Sequence, residues 1–323
     1  MTQPAPFNPL VSIVIPVYNG SNYLSEAIDS ALKQTYAHIE VLVVNDGSDD
    51  NGSTRAIALA YGNRIRYFEK ENGGVATALN LGIREMRGEY FSWLSHDDLY
   101  HKNKIESQIA FLGRHSGRQK IVYSDCEIFT EDRGKQERIF AGGLNEYSMR
   151  YHLTIKSTLH GCSLLIPRVA FFDVGLFDEK LRLTQDYEMW FRLAGNYEFI
   201  YLSESLVASR HHALQDSAKF SNKMQEACDG LRSAFIPSLS TSDVKSIRKN
   251  DRGGGYLRIY EYMTGSGYHS SAKLALEQAV KSGELDGFMR KTVGLARIFL
   301  AKYRVTHRLS GFLSRVKRVV VYG

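Results

Sequence analysis

Cysteine is scarce in this chain: Cys126, Cys162 and Cys228 are the only three. Their number is odd, their spacing is wide, and no C-x-x-C pair occurs. Neither a disulfide framework nor a cysteine zinc motif is expected from that pattern. Long apolar runs are missing too. Nothing approaches the ~18 to 20 residues that a membrane-crossing helix needs. The opening MTQPAPFNPL lacks the basic-then-apolar order of a secretory leader. Together these absences predict a cytoplasmic protein with reduced thiols. No internal repeat and no low-complexity tract is present. The basic excess is confined to the last segment: residues 287–323 hold nine Lys/Arg and no Asp or Glu, leaving 32 basic against 35 acidic residues elsewhere. The net charge of +6 therefore belongs to the tail, and the body is slightly acidic.

What remains is ordinary globular composition, 43% hydrophobic and 24% charged, enough for one large domain plus an extension. The first half alternates strand and helix. VSIVIPVY (11–18), IEVLVVND (39–46), IRYFEK (65–70) and EYFSWLSHDD (89–98) are apolar, β-rich runs. Between them, 21–34, 53–62 and 75–86 carry apolar residues at helical spacing, with Ser21 as a candidate cap of the first helix. Such alternation predicts a mostly parallel α/β sheet, in which ligands bind beyond the carboxyl ends of the strands. Those ends hold the unusual residues: Tyr18-Asn19-Gly20, Asn45-Asp46-Gly47-Ser48-Asp49, Glu71-Asn72-Gly73-Gly74 and Asp97-Asp98. Further on, 121–129 and 160–167 read as strands, and residues from 218 onward read as helical with glycine-rich breaks such as RGGGYL. The expected domains are 1–217 and 218–323.

Adjacent carboxylates at a strand end need a reason, since two such charges about 4 Å apart repel by roughly 4 kcal/mol at an effective dielectric near 20. One reading is a cap for a helix starting at Leu99. The other is a divalent cation, because Mg2+ and Mn2+ favour carboxylates together with substrate phosphates. Asp46 sits where a dinucleotide fold places its ribose-binding acid, but strand one is followed by YNGSNY and not by G-x-G-x-x-G, so the phosphate loop of that fold is missing. Asp46 and Asp49 also suit a plain Asx turn.

Taken in order, VSIVIPVYNGSNYLSEAIDSALKQTY, VLVVNDGSDD, ENGGVATALNLGI and GEYFSWLSHDD resemble family 2 glycosyltransferases of the GT-A fold. GCSLLIPRVAFFDVGLFDEKL, TQDYEMWFRL and the Arg210-to-Ser217 stretch extend the resemblance over roughly residues 10–217. It implies an α/β fold with a mixed sheet flanked by helices, followed by a helical C-terminal extension. It implies an inverting, metal-dependent, hexosyltransferase-like enzyme of surface polysaccharide assembly, taking a sugar from a nucleotide-diphospho-sugar such as a UDP-sugar. The acceptor would be a hydroxyl of a glycan or a lipid-linked saccharide. By the same resemblance, Pro16, Tyr18, Asn19, Asp46, Asn72, Gly73 and Asp97 would line the donor. Asp97, Asp98 and His212 would hold Mn2+ or Mg2+, and Asp186 would be the general base, with a helix N-cap as its plain structural alternative.

Three positions depart from the family pattern: Ser95 stands for the first acid of D-x-D-D, Leu79 for an Arg, and Gln185 for the acid before the base. They keep open a non-catalytic nucleotide-sugar-binding or scaffold protein of the same fold. The Gln-x-x-Arg-Trp motif of processive synthases is absent, which predicts one sugar per encounter. The tail from Lys291 has apolar residues at near-helical intervals among its basic ones. It suits either an anionic membrane surface, placing the protein peripherally on the inner face of the cytoplasmic membrane, or docking on the catalytic domain or a second subunit. No nucleic-acid motif accompanies the charge.

Overall fold

The structure, a computed structural model, describes residues 7–115, 120–130, 136–139, 142, 148–156, 158–212, 221–245 and 251–283. The chain divides into two units, Met1–Gly143 with Ser157–Lys219, and Leu144–Lys156 with Phe220–Gly323. The 1–217 span expected for one domain is thus interrupted by residues 144–156.

In the first unit β1 (Val11–Val17) is buried along its whole length. Its one hydroxyl, Ser12, is tolerated there because it donates to Glu40 Oε1 at 2.6 Å. β1 pairs in parallel with β2 (Ile39–Asn45), reached through helix α1 (Leu24–Leu32). Helix α2 (Ser53–Leu59) leads to β3 (Arg66–Glu69), which pairs in parallel with β2. Helix α3 (Val75–Glu85) leads to β4 (Tyr90–Trp93), parallel to β1. The helices bury apolar residues at the expected spacing: Leu24, Ala27, Ile28 and Ala31 in α1, and Ala76, Leu79 and Ile83 in α3. Ser21 does not cap α1, whose N-cap position is Tyr23.

After a two-residue strand β5 (Leu99–Tyr100) comes helix α4 (Lys104–Gly113), with Asn103 at its N-cap position. Neither Asp97 nor Asp98 is therefore a helix cap. β6 (Lys120–Thr130) and β7 (Gln136–Ile139) follow, and helix α5 (Met149–Ile155) belongs to the second unit. The expected strand at 160–167 shrinks to β8 (Ile166–Pro167), and Gly161–Ser163 forms one turn of 3-10 helix. Ser163 returns both its N–H and its hydroxyl to His160 O, and such local bonding competes with an extended ladder. Helix α6 (Val169–Val174), helix α7 (Gln185–Leu193) and β9 (Glu198–His211) complete this unit. One sheet has the order β3-β2-β1-β4-β8, with β8 antiparallel to β4; the other has the order β5-β9-β6-β7. The register Val17↔Asn45, Asn45↔Glu69 and Val14↔Trp93 brings the carboxyl ends of β1 to β4 to one edge.

The second unit is helical: α5, then Ser221–Ser238, Thr241–Lys245, Arg252–Gly265 and His269–Lys281. RGGGYL, expected as a break, begins the helix Arg252–Gly265, where the Asp251 side chain accepts Gly254 N–H at 2.8 Å. One of its glycines, Gly255, serves close packing. A Cβ at Gly255 would lie 2.5 Å from Val244 Cγ1 and 2.6 Å from Val244 O. Among the described residues no helix is long and apolar enough to cross a membrane. The basic tail and Ser217 lie outside the described residues.

Candidate active site

The loops after β1 and β2 are latched together. Asn19 Nδ2 donates to Asp49 Oδ1 at 2.5 Å, Asp49 N–H donates to Asn19 Oδ1 at 2.9 Å, and Asn19 N–H donates to Ser48 Oγ at 2.9 Å. The turn itself is made by Asn45, whose Oδ1 accepts Ser48 N–H and Oγ–H. Asp46 is buried, and its carboxylate collects donors from the next loop: Lys70 Nζ at 2.7 Å, Gly73 N–H at 3.0 Å, Gly74 N–H at 2.7 Å and Thr77 Oγ1 at 3.3 Å. Asp46 thus fixes the Gly73-Gly74 segment. Gly47 has φ +68° and packs so closely that a Cβ would lie 2.5 Å from Asn72 N. Above this framework Tyr18 is 44% exposed, and Asn72 is exposed as well, while Pro16 is buried within β1.

The two strand-end acids turn to different partners. The segment after β4 makes a turn closed by Asp98 N–H donating to Ser95 O. Asp97 Oδ2 lies 3.0 Å from His212 Nε2. Asp98 is almost fully buried; its Oδ1 accepts Arg210 N–H at 3.0 Å, and its Oδ2 lies 3.5 Å from Cys162 Sγ and 3.7 Å from His160 Nε2. Of the expected trio Asp97, Asp98 and His212, Asp97 and His212 meet, and Asp98 engages a different set. Burial works to raise the pKa of Asp97, but the charges of His96 and His212 and the His212 hydrogen bond outweigh it and hold the group below its ordinary value. Burial raises the pKa of Asp98, with His160 opposing and Asp97 adding to the rise.

Arg210 holds this arrangement. Its guanidinium lies over the rings of Tyr23, at 4.2 Å, and Phe129, at 4.8 Å. It also donates to Asp97 O at 3.1 Å and to Glu26 Oε2 at 3.1 Å. Tyr23 in turn packs on the His212 ring, with centroids 5.0 Å apart. The Asp97–His212 pair suits a divalent ion. Neighbouring ligands of an octahedral ion, each about 2.1 Å from it, are themselves about 3.0 Å apart, the separation seen here.

Asp186 is the second residue of α7, which starts at Gln185 with Thr184 in the N-cap position. It is not the N-cap, although its Oδ1 accepts Tyr187 N–H at 2.8 Å. Burial raises its pKa, against the Tyr187 N–H and the charge of His160. His160 therefore acts electrostatically on both Asp98 and Asp186. The turn carrying it is fixed from two sides. Tyr187 OH bonds to Leu159 N and O, and Gln108 Nε2 donates to Ser163 O at 2.7 Å.

The three departures from the family pattern have local explanations of unequal strength. Leu79 is fully buried in the core, and Ser95 N–H and Oγ both contact Cys162 Sγ. Gln185 is buried with Oε1 unpartnered, and nothing in the structure explains that change. Residues that sequence reading did not single out are Lys70, Arg210, His160 and Cys162. Arg210 is part of the Arg210-to-Ser217 stretch that carries the family resemblance, but the sequence alone assigns it no role. Cys162 and His160 carry no local signal at all.

The chain can be placed among known proteins by this architecture. The family described as glycosyl transferase family 2 matches residues 12–179, just over half of the chain. An uncharacterized glycosyltransferase of Rickettsia felis is 47% identical over 239 residues, covering 73% of this chain. The chain spans only 40% of that protein's length. An uncharacterized glycosyltransferase of Rickettsia typhi is 40% identical over 318 residues, covering 97% of this chain and 98% of that one. Among solved structures, S. aureus TarS in complex with UDP-GlcNAc superposes with a TM-score of 0.64 at 18% identity, covering 93% of this chain and 91% of that chain. The mannosyltransferase PcManGT of Pyrobaculum calidifontis, in complex with GDP-Man and Mn2+, does so with a TM-score of 0.54 at 16% identity, covering 94% and 88%. The fold is GT-A, and the chain belongs to glycosyl transferase family 2.

Proposed function

We propose that the chain transfers a single sugar from a nucleotide-diphospho-sugar to a hydroxyl of a glycan or lipid-linked acceptor, with inversion at the anomeric carbon. The observation that carries this reading is the convergence of three acids. Asp97 meets His212, Asp98 lies beside it in sequence, and His160 acts on both Asp98 and Asp186. The Asp97–His212 pair and Asp186 are thus linked electrostatically through Asp98 and His160. The likeness to TarS, whose complex holds UDP-GlcNAc, favours a UDP-sugar.

In this reading Tyr18 and Asn72, exposed on the loops after β1 and β3, border the nucleoside. Asn19 locks the first loop to Asp49, and Pro16 shapes the strand end from beneath. Asp46 acts by holding Lys70 and the Gly73-Gly74 segment in place. Asp97 and His212 would hold Mn2+ or Mg2+, which when bound offsets the charge of the diphosphate as a Lewis acid. Asp186 takes the proton of the acceptor hydroxyl while that oxygen forms its bond to the anomeric carbon. The bond from that carbon to the diphosphate oxygen breaks, and its electrons leave with the nucleoside diphosphate. The raised pKa of Asp186 makes it a stronger base than an ordinary carboxylate, and such a base contributes about 10²–10⁴-fold.

Two measurements test the reading. A thermal-shift panel of UDP, GDP, dTDP, ADP and NAD, each with Mn2+ and with EDTA, should show a metal-dependent rise for one nucleoside diphosphate. At a hundred times Kd the stabilisation is about 2.7 kcal/mol. Asp186→Asn should then abolish transfer and leave nucleotide affinity unchanged. If transfer by Asp186→Asn stayed near normal, Asp186 would not be the base. If no diphosphate produced a shift, the scaffold reading would take its place.

A further inference from the structure

We propose that Asp98, His160 and Cys162 form a binding site for a thiophilic divalent cation, Zn2+, separate from the Asp97–His212 pair. Their ligand atoms, one carboxylate oxygen, one imidazole nitrogen and one sulfur, all lie within 4.8 Å of one another. The spacing suits a tetrahedral ion. With Zn–S about 2.3 Å and Zn–O about 2.0 Å, the sulfur and oxygen ligands of such an ion stand about 3.5 Å apart. Cys162 Sγ and Asp98 Oδ2 are 3.5 Å apart, and His160 Nε2 lies 3.7 Å from the same oxygen.

The surroundings are those of ligands, not of isolated side chains. Asp98 is 2% exposed, and its only side-chain ion-pair partner among the described residues is His160. Buried carboxylates are otherwise paired with a cation or coordinated to one. Main-chain N–H groups already orient two of the three ligands. Arg210 N–H is bound by Asp98 Oδ1, which leaves Oδ2 for the ion, and Ser95 N–H points at Cys162 Sγ from 3.3 Å. Outer contacts of this kind fix ligand orientation in metal centres. The turn that carries His160 and Cys162 is itself held by Tyr187 and Gln108. Sulfur sets the selectivity, because a thiolate favours Zn2+ over Mg2+ or Mn2+, and the Asp97–His212 pair contains none. His160 is 30% exposed in its side chain, so an ion can enter from that side, with water as its fourth ligand.

The test uses the full chain, stripped of metal and titrated with Co2+ as a spectroscopic substitute for Zn2+. One equivalent should produce a thiolate-to-cobalt charge-transfer band in the near ultraviolet, and Zn2+ should displace it. Cys162→Ser should abolish the band. His160→Gln should weaken Co2+ affinity by more than about tenfold. Cys126→Ser and Cys228→Ser should leave both unchanged. Should Cys162→Ser fail to fold, His160→Gln carries the test, since that side chain is partly exposed. A wild-type protein without the band would overturn the proposal. So would a band lost in Cys126→Ser or Cys228→Ser, or an affinity unaltered in His160→Gln.

Discussion

Lys104 lies wholly inside the first unit, 0% exposed, beneath the turn that carries His160 and Cys162. Among the described residues its ammonium has no carboxylate partner. It donates to Ser92 Oγ and Gln108 Oε1, each at 2.9 Å, and lies 4.2 Å from the centre of the Tyr100 ring. Burial lowers its pKa from the ordinary 10.5 to about 7, with Cys162 opposing. Between those two values the unfolded chain holds a proton that the folded chain has released. Stability must therefore rise with pH across that window. From pH 7, where the folded group is half protonated, to pH 9, the gain is about 2 kcal/mol.

Lys104→Met removes that gain. It also leaves Gln108 Oε1 without its donor, a cost of about 1–3 kcal/mol that is the same at both pH values. The assay is urea unfolding at pH 7 and pH 9, followed by tryptophan fluorescence. Both tryptophans, Trp93 and Trp190, are buried in the first unit, so the signal reports that unit. Other titrating groups cancel when the two proteins are compared. Wild type should gain about 2 kcal/mol more than Lys104→Met between the two pH values. An equal change in both would refute the claim that burial lowers the pKa of Lys104.

Three further outcomes are expected. Gly47→Ala forces a side chain into φ +68° and against Asn72 N, so it should cost about 1–3 kcal/mol and weaken nucleotide binding, read by urea unfolding and calorimetry. Asp97→Ala and His212→Ala should each reduce Mn2+ affinity by more than about tenfold, measured by electron paramagnetic resonance of free Mn2+; unchanged affinity in both would remove the pair as the ion's ligands. Deleting residues 290–323 should lower sedimentation with anionic liposomes; unchanged partitioning would favour docking of the tail on the protein.

The α/β class and the placement of its first four strands were legible because β1, β2 and β4 are apolar runs between glycine-rich turns, while α1 and α3 carry helical periodicity. These are local signals, set by which residues a strand or helix can bury. The grouping of Asn45–Asp49 with Asn72-Gly73 also followed from the sequence, since parallel strands end on one side. Sequence could not say which way adjacent acids turn. Asp97 faces His212 and Asp98 faces Arg210 N–H, contacts that span 115 and 112 residues. Nor could it show that Asp46 spends its carboxylate on Lys70, Gly73 and Gly74.

The strand expected at 160–167 failed for a related reason. Ser163 bonds back to His160, and Gln108 on a distant helix seizes its carbonyl. What the sequence by itself determined was the order of elements and the chemistry available at their ends. The tertiary structure alone decided the partners of each charge, because burial and long-range hydrogen bonds depend on segments that only folding brings together.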